Sequence, residues 1–529
     1  MKGKKGCHPF WKSVHHIGNQ SKGDEDMFSK VLVANRGEIA CRVLRACREA
    51  ELSTVAIVAK NDMSSLFVEL ADQVAILEGE DITTTYLDGP QIINIALQHG
   101  VEAIHPGFGF LSERADFAQA VIDAGMTWIG PSPKAISQMG DKMTARKTMM
   151  QAGVPVIPGR DIESDHEEEA LEMLEEASHD VGYPLLLKAS SGGGGKGMRI
   201  VRSPDEFAAA ATAARREAKS AFGDARLYIE RLLEHAKHVE IQVLADQHGS
   251  TIHLGERECS IQRRHQKVFE EAPCATLTDN VREQMGRAAV AAAQAVDYVG
   301  AGTVEFMLLP SGEFFFLEMN TRIQVEHPIT ELVTGVDLVR EQLRIAQGLP
   351  MSVKELHMRG HAIEVRLYAE DPEQNFLPSI GPLAVFVPPE GPGIRLDTGV
   401  RQGDEVTPYY DPMLAKLIVW APSREEALQR MRRALDDFIV LGTTTNRQFL
   451  RELCDTDAVI TAQTTTTTIE ETWPEGWSPT YQQHIVNAGL LLAEVGETLG
   501  WSSSRQTHNQ NESHNHDSPF NQINRRFPL

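Results

Sequence analysis

Cysteine is scarce in this chain, and long apolar runs are missing altogether. The six cysteines, Cys7, Cys41, Cys47, Cys259, Cys274 and Cys454, are scattered over 529 residues without metal-ligand spacing. Their isolation excludes a disulfide-built fold and fits reduced thiols in a cytoplasmic compartment. No stretch approaches the roughly 20 apolar residues that span a bilayer, so no membrane helix is expected. Positive charge is also in deficit: 51 Lys and Arg against 74 Asp and Glu leave a formal charge of −23. That balance argues against a nucleic-acid partner, and any phosphate ligand must rely on local cations. The segment Met1 to Met27 contains no arginine and carries Asp24, Glu25 and Asp26, which makes it a poor transit peptide; Met27 is an alternative start.

Against these absences stands Glu318-Met-Asn-Thr-Arg-Ile-Gln-Val-Glu-His-Pro328, which places Glu318, Asn320, Arg322, Gln324 and Glu326 at period two. In an extended segment those side chains share one face. Upstream, Thr303 to Leu309 and Phe314 to Glu318 flank Pro310-Ser-Gly-Glu313, a β-hairpin pattern with its turn centred on Ser311 and Gly312. That centre puts Glu305 opposite Glu318, and pairs Val304, Phe306 and Leu308 with Met319, Leu317 and Phe315. Two carboxylates about 5 Å apart repel by on the order of 3 kcal/mol at an effective dielectric near 20. A divalent cation reverses that sign, and hard oxygen ligands suit Mg²⁺ beside a nucleotide's phosphates. The alternative is a solvated acidic hairpin edge, and a one-residue slip would undo the pairing.

A glycine run, Gly192 to Gly195 with Lys196 and Gly197, lies between the apolar segments Pro184 to Lys188 and Met198 to Val201. It is not a Walker loop, because no Ser or Thr follows Lys196 and a strand-like segment comes next. It reads as a flap bringing backbone N–H groups and Lys188 and Lys196 onto phosphates, or simply as a linker. Glu256 to Val268 crowds Arg257, Arg263, Arg264 and Lys267 into an acidic chain. It is either a local anion site or a solvated basic edge paired with Glu270 and Glu271. A βαβ pattern opens with a strand from Lys30, a helix over Arg36 to Glu51 and a strand over Thr54 to Ala59. Lacking Gly-x-Gly-x-x-Gly, it is not an NAD site. Helices are expected at the acidic run Asp161 to Glu176, an exposed face, and at Pro204 to Ser220, Thr278 to Val299 and Ser423 to Phe438.

Taken together, Asn35-Arg-Gly-Glu-Ile-Ala40, His105-Pro-Gly-Phe-Gly-Phe-Leu-Ser-Glu113, Met139-Gly-Asp-Lys142, the glycine run, Arg263-Arg-His-Gln-Lys267, the Glu318 to Pro328 stretch and Gly360-His-Ala-Ile-Glu-Val-Arg-Leu-Tyr-Ala-Glu-Asp-Pro372 resemble biotin carboxylases of the ATP-grasp superfamily. The resemblance runs from about Phe28 to about Leu453. With Tyr409-Tyr-Asp-Pro-Met-Leu-Ala-Lys416, the wording is most similar to acyl-CoA carboxylase α subunits of the methylcrotonoyl and propionyl type. An acetyl-CoA carboxylase or pyruvate carboxylase component is the alternative.

The fold so implied is α/β and α+β. An extension (1–27) precedes a Rossmann-like βαβ domain (28–141), an ATP-grasp domain (142–348, glycine-rich lid about 160–231), a C-terminal α+β domain (360–466) and a tail (467–529). The His/Asn/Ser-rich tail, with His508, His514 and His516, reads as disordered and not as a metal site. The implied activity is carboxylation of biotin by ATP and bicarbonate through carboxyphosphate, with Mg²⁺ or Mn²⁺. Glu326 would be the general base; Arg322, Gln324 and the backbone of Val325 would hold bicarbonate; Glu305, Glu318 and Asn320 would hold the metal. Lys142, Lys188, Gly192, Gly193, Gly194, Gly195, Lys196, Gly197, His265 and Lys267 would orient and neutralise phosphates, and Gln262 would be a further nucleotide-binding residue. Glu230, Leu233 and His238 match nucleotide-recognition positions, although Arg231 stands where some members have Lys. Arg366 would stabilise the biotin enolate, unless it merely pairs with Glu364 or Glu370. Biotin-carrier domains carry a modified lysine, and no lysine follows Lys416. The expected partners are therefore a separate biotin carrier protein or domain and a carboxyltransferase subunit, with assembly as a homodimer or larger. Two other readings are an ATP-grasp ligase joining a carboxylate to an amine, and a noncatalytic assembly subunit.

Overall fold

The structure is a computed structural model that describes residues 27–480 except 163, 165, 190–197 and 265. The glycine run with Lys196, His265, the extension before Met27 and the His-rich tail thus lie outside the described residues. Near-continuous apolar runs build the first sheet, a parallel one in the spatial order Gln73–Leu77, Ser53–Ala59, Lys30–Val33, Ala103–His105, Thr127–Trp128. Val31, Leu32 and Val33 are fully buried, as a parallel strand covered on both faces requires. The order reverses between Lys30–Val33 and Ala103–His105, and the chain leaves their carboxyl ends through Asn35-Arg36 and Pro106 to Phe110. Such a switch point is where an open α/β sheet leaves a crevice. Asn35 pins it by donating from Nδ2 to Pro106 O and Phe108 O, both at 2.7 Å. The following helix, Gly37–Glu49, starts one residue later than the pattern predicts, because Arg36 stays extended at φ −136°.

The lid is an antiparallel sheet in the order Gly159–Asp161, Leu227–Arg231, Leu185–Ala189, Arg199–Val201. Helices Glu167–Val181 and Pro204–Phe222 pack on it through Leu174, Phe207 and Ala211 against Leu185, Leu187 and Ile229, a hydrophobic cluster of its own. The strands flanking the glycine run pair antiparallel, Leu185 with Val201 and Leu187 with Arg199.

The third sheet has eight antiparallel strands: Phe314–Asn320, Gly300–Leu308, Lys237–Ala245, Thr251–Arg263, Gln266–Ala272, His361–Tyr368, Met413–Ala421 and Ile394–Thr398. Strands after Gly360 extend the sheet begun upstream, with Ala272 paired to Ala362. Helix Arg424–Asp437, capped by Ser423, covers the far end. Among the described residues no helix is long and apolar enough to cross a membrane.

Candidate active site

The hairpin formed by Gly300–Leu308 and Phe314–Asn320 brings Glu305 opposite Glu318, as the alternation predicts. The rest of its register differs. Phe306 faces Phe316 and not Leu317, and Leu308 faces Phe314 and not Phe315. The turn is displaced by half a residue pair, and Leu317 is the extra residue of a bulge beside Glu305 that restores the carboxylate pairing. Glu305 is buried at 4% exposure, whereas Glu318 is exposed and faces a cleft. The charge of Glu305, with burial second, pushes the Glu318 carboxyl above its ordinary pKa. Asn320 donates to Glu305 Oε1 at 2.8 Å.

Lys267 is the hub. Its ammonium lies 2.5 Å from Glu240, 2.9 Å from Glu305 and 2.6 Å from Glu326. Burial alone would lower its pKa, but the three carboxylates hold it well above the usual lysine value. Ligand atoms of His238, Glu240 and Glu305 also lie within 4.8 Å of one another. The Lys267 ammonium already supplies a positive charge among those carboxylates. Glu240 is oriented from behind by the fully buried Arg257, which also bonds Gln242 at 2.7 Å and Thr330 at 2.9 Å. His238 sits against the other oxygen of Glu305, Nε2 to Oε2 at 2.8 Å, and Gln262 holds its Nδ1 at 2.8 Å.

Glu326 is completely buried. Lys267 takes one of its oxygens and Arg366 Nη2 the other, at 2.9 Å. Burial pushes its pKa up, yet Lys267, Arg366 and Arg257 outweigh that and keep it well below the carboxylate range. Arg366 pairs with neither Glu364 nor Glu370: its Nε donates to Glu270 at 2.6 Å, and Glu370 belongs to Arg263. Burial raises the Glu270 carboxyl to about 7 despite Arg366. Arg322 donates to Glu113 at 3.0 Å, Asn320 Oδ1 at 3.1 Å and Gln324 Oε1 at 3.3 Å. Val325 gives its carbonyl to the buried Lys416 at 2.8 Å.

Two cavities meet this network. A cleft of ≈ 540 Å³ between lid and body is lined by Lys142, Lys188, Glu230, Glu318, Asn320 and Arg322. Lys188 and Glu230 form an ion pair there. Lys142 opens the helix Lys142–Gln151, whose cap is Asp141, so Lys142 is at the end where its charge cannot cap carbonyls. Leu233 is half-buried outside the walls of that cleft. The second cavity, ≈ 350 Å³, lies at the switch point and is walled by Val325, Arg366, Gln266, Phe108 and Tyr368. Sequence reading missed Glu113, Glu240, Arg257, Glu270 and Lys416. Arg257 and Glu270 lie in or beside the basic cluster noted above, and both are buried strand residues and not a solvated edge. The oxygens of Glu318, Glu305 and Asn320 form a hard donor set of the kind Mg²⁺ or Mn²⁺ takes.

An ATP-grasp lid over an antiparallel sheet with facing carboxylates defines the class: an ATP-dependent ligase. Three family models match in succession: "Biotin carboxylase, N-terminal domain" over 27–136, "Carbamoyl-phosphate synthase L chain, ATP binding domain" over 141–354, and "Biotin carboxylase C-terminal domain" over 364–471. The chain belongs to the biotin carboxylase family. A biotin carboxylase of Nostoc sp. is 49% identical over 446 residues, 84% of this chain and 99% of that one. The methylcrotonoyl-CoA carboxylase subunit alpha of Dictyostelium discoideum is 50% identical over 428 residues, 80% of this chain but 61% of that longer one. Among solved structures, the biotin carboxylase domain dimer of Hydrogenobacter thermophilus 2-oxoglutarate carboxylase, in complex with MgADP, ADP and bicarbonate, matches with a TM-score of 0.79 at 46% identity, covering 85% of this chain and 98% of that one.

Proposed function

We propose that this chain converts ATP, bicarbonate and biotin into ADP, phosphate and carboxybiotin, with the biotin held on a separate carrier, as the biotin carboxylase component of an acyl-CoA carboxylase. The observation that carries the reading is the Lys267 hub, one cation joining the facing carboxylates of the hairpin to Glu326 and thence to Arg366.

Glu305, Glu318 and Asn320 would hold Mg²⁺ or Mn²⁺, which supplies positive charge to the nucleotide's phosphates when bound. Lys142, Lys188 and Glu230 line the nucleotide cleft, and the glycine run with Lys196 and His265 would complete it. His238, held by Gln262, braces Glu305, and Leu233, which the resemblance matches to nucleotide recognition, stands outside the walls of the cleft. Arg322, Gln324 and the Val325 backbone would orient bicarbonate, the planar guanidinium matching a trigonal anion. Glu326 is ionised and can accept the bicarbonate proton. Its two cationic partners depress its basicity at rest, so an arriving anion that draws Lys267 toward itself brings the carboxylate closer to the range a general base needs. Bicarbonate oxygen would then attack the terminal phosphorus as its bond to the bridging oxygen of ADP breaks and ADP leaves, and a dry site would protect the carboxyphosphate so formed. The second cavity would seat the ureido ring of biotin; carboxyphosphate would break its C–O bond to phosphate, the phosphate released would take the N–H proton, the nitrogen would take the one-carbon unit, and Arg366 would stabilise the negative charge that develops meanwhile on the ureido oxygen.

The acyl-CoA carboxylase assignment is supported by the Glu364 to Pro372 wording and by the likeness to the methylcrotonoyl-CoA carboxylase subunit. A carrier protein or domain, a carboxyltransferase and a second copy of the chain are the partners it calls for. Free, buried thiols at the five described cysteines suit a reducing cytoplasm. The test is fixation of labelled bicarbonate into free biotin with Mg·ATP, omitting each component in turn. Product that requires all of them is expected; ATP cleavage that instead requires an amino acid would replace this reading with an amine ligase.

A further inference from the structure

Arg36 and Tyr410 close the second cavity with a clamp that joins distant parts of the chain. Arg36 leaves the central strand of the parallel sheet, and its guanidinium meets Asp62 twice, Nε to Oδ2 at 2.6 Å and Nη2 to Oδ1 at 2.8 Å. The centre of the same guanidinium lies 3.8 Å from the ring centroid of Tyr410, a residue of the loop before Met413–Ala421. Each member is braced. Asp62 is buried and accepts from the Tyr86 hydroxyl at 2.8 Å, Tyr86 stacks on Phe110 with ring centroids 5.2 Å apart, and the Tyr410 hydroxyl donates to Asn61 at 2.6 Å.

Arg36 and Tyr410 both line the cavity that Arg366 and Val325 enter. The third guanidinium nitrogen of Arg36, Nη1, has no hydrogen-bond partner among the described residues, so the side chain keeps donors while its position is fixed. A planar guanidinium that uses one edge on a carboxylate and one face on an aromatic ring is a rigid wall; a lysine in its place could meet Asp62 or the ring only as a point charge, without the two-point contact and flat stacking that fix the wall. Nothing in ATP or bicarbonate binding uses this wall, because neither the cleft nor the Lys267 hub includes it.

We propose that Arg36, fixed by Asp62 and stacked on Tyr410, is a positioning residue for the second substrate, setting the wall against which the fused ureido ring system of biotin seats beside Arg366. The proposal rests on the biotin carboxylase reading. Its test is steady-state kinetics of bicarbonate fixation with free biotin and Mg·ATP varied separately, in Arg36→Lys, Tyr410→Ala and Tyr410→Phe. In Arg36→Lys and Tyr410→Ala the KM for biotin should rise about tenfold, the size of a lost half-buried cation–π contact, while the KM for Mg·ATP moves by less than about threefold. Tyr410→Phe keeps the ring and should hold the biotin KM within about threefold of the wild type. An unchanged biotin KM in both disruptive variants, or an equal rise in both KM values, would overturn the proposal. The two failures separate cleanly: a wild-type chain with no biotin-dependent turnover refutes the carboxylase reading and the clamp with it, whereas an active wild type with flat variants refutes the clamp alone.

Discussion

Glu326 serves two masters, and the way it is removed decides what an experiment reports. As a proton acceptor its loss should cost carboxylation about 10²–10⁴-fold. As the buried counter-ion of Lys267 and Arg366, its truncation to Ala strands two cations and should cost about 3–5 kcal/mol of unfolding free energy. Glu326→Gln keeps the volume and an oxygen acceptor, so it is the cleaner variant. We expect it to lose carboxylation by that factor while nucleotide binding, followed by a fluorescent ATP analogue, stays within about threefold. A Gln variant with wild-type turnover would remove Glu326 from the base role. At this scale Glu305, Glu318, Asn320, Arg322, Gln324 and Glu326 were legible because one extended segment and its hairpin partner carry them. Glu240, Arg257, Glu270 and Lys416 were not, since each acts through a residue on another segment, from 17 positions away for Arg257 and Glu240 to 96 for Arg366 and Glu270. Nothing local distinguishes a glutamate that braces Lys267 from one that faces water.

Between elements, close approaches matter more than side-chain chemistry. Gly399 ends the strand Ile394–Thr398 against the start of helix Gly37–Glu49, where an added Cβ would lie 2.5 Å from the Glu38 backbone N and 2.6 Å from the Gly37 carbonyl carbon. Backbone cannot give way as a flexible side chain can, so Gly399→Ala should destabilise by about 1–3 kcal/mol, measured by urea unfolding. A neutral result would mean the two elements part without cost. The hairpin shows how far pattern reading reaches at this level. Strict alternation finds the facing carboxylates, but the register on the turn side depends on where the chain inserts the extra residue Leu317. Period-two logic has no means of locating a bulge whose neighbours are Phe and Leu on both sides. Helix starts were legible to within a residue at Arg36 and Ser423, whereas the acidic run expected to be helical from Asp161 begins its helix only at Glu167, because Asp161 ends a strand paired with Tyr228.

For the whole molecule, the eight-stranded sheet makes the hairpin of the facing carboxylates and the C-terminal strands parts of one body. A boundary near Gly360 reads as a change of domain in sequence, yet hydrogen bonding from Ala272 to Ala362 runs across it. Sequence separation hides such pairings because strand order is set by packing and not by chain order. A ligand that bridges lid and body should therefore stabilise the fold by mass action. Mg·ATP at about 100 times its Kd should add about 2.7 kcal/mol, seen as a higher Tm that collapses when EDTA removes the metal. A nucleotide-induced shift indifferent to EDTA would dissociate metal from nucleotide binding.

On the proposed reaction, Val325 would belong to both halves. Its neighbours Gln324 and Glu326 face the anion network, while Val325 itself walls the second cavity and anchors Lys416 through its carbonyl. Arg322 of the nucleotide-sized cleft and Val325 of the second cavity lie three positions apart on this segment, so on the proposed reaction the donor and acceptor chambers would be near neighbours. An unstable one-carbon fragment made on one side need not diffuse through solvent to be captured on the other, and a visiting prosthetic arm has only to reach the outer doorway.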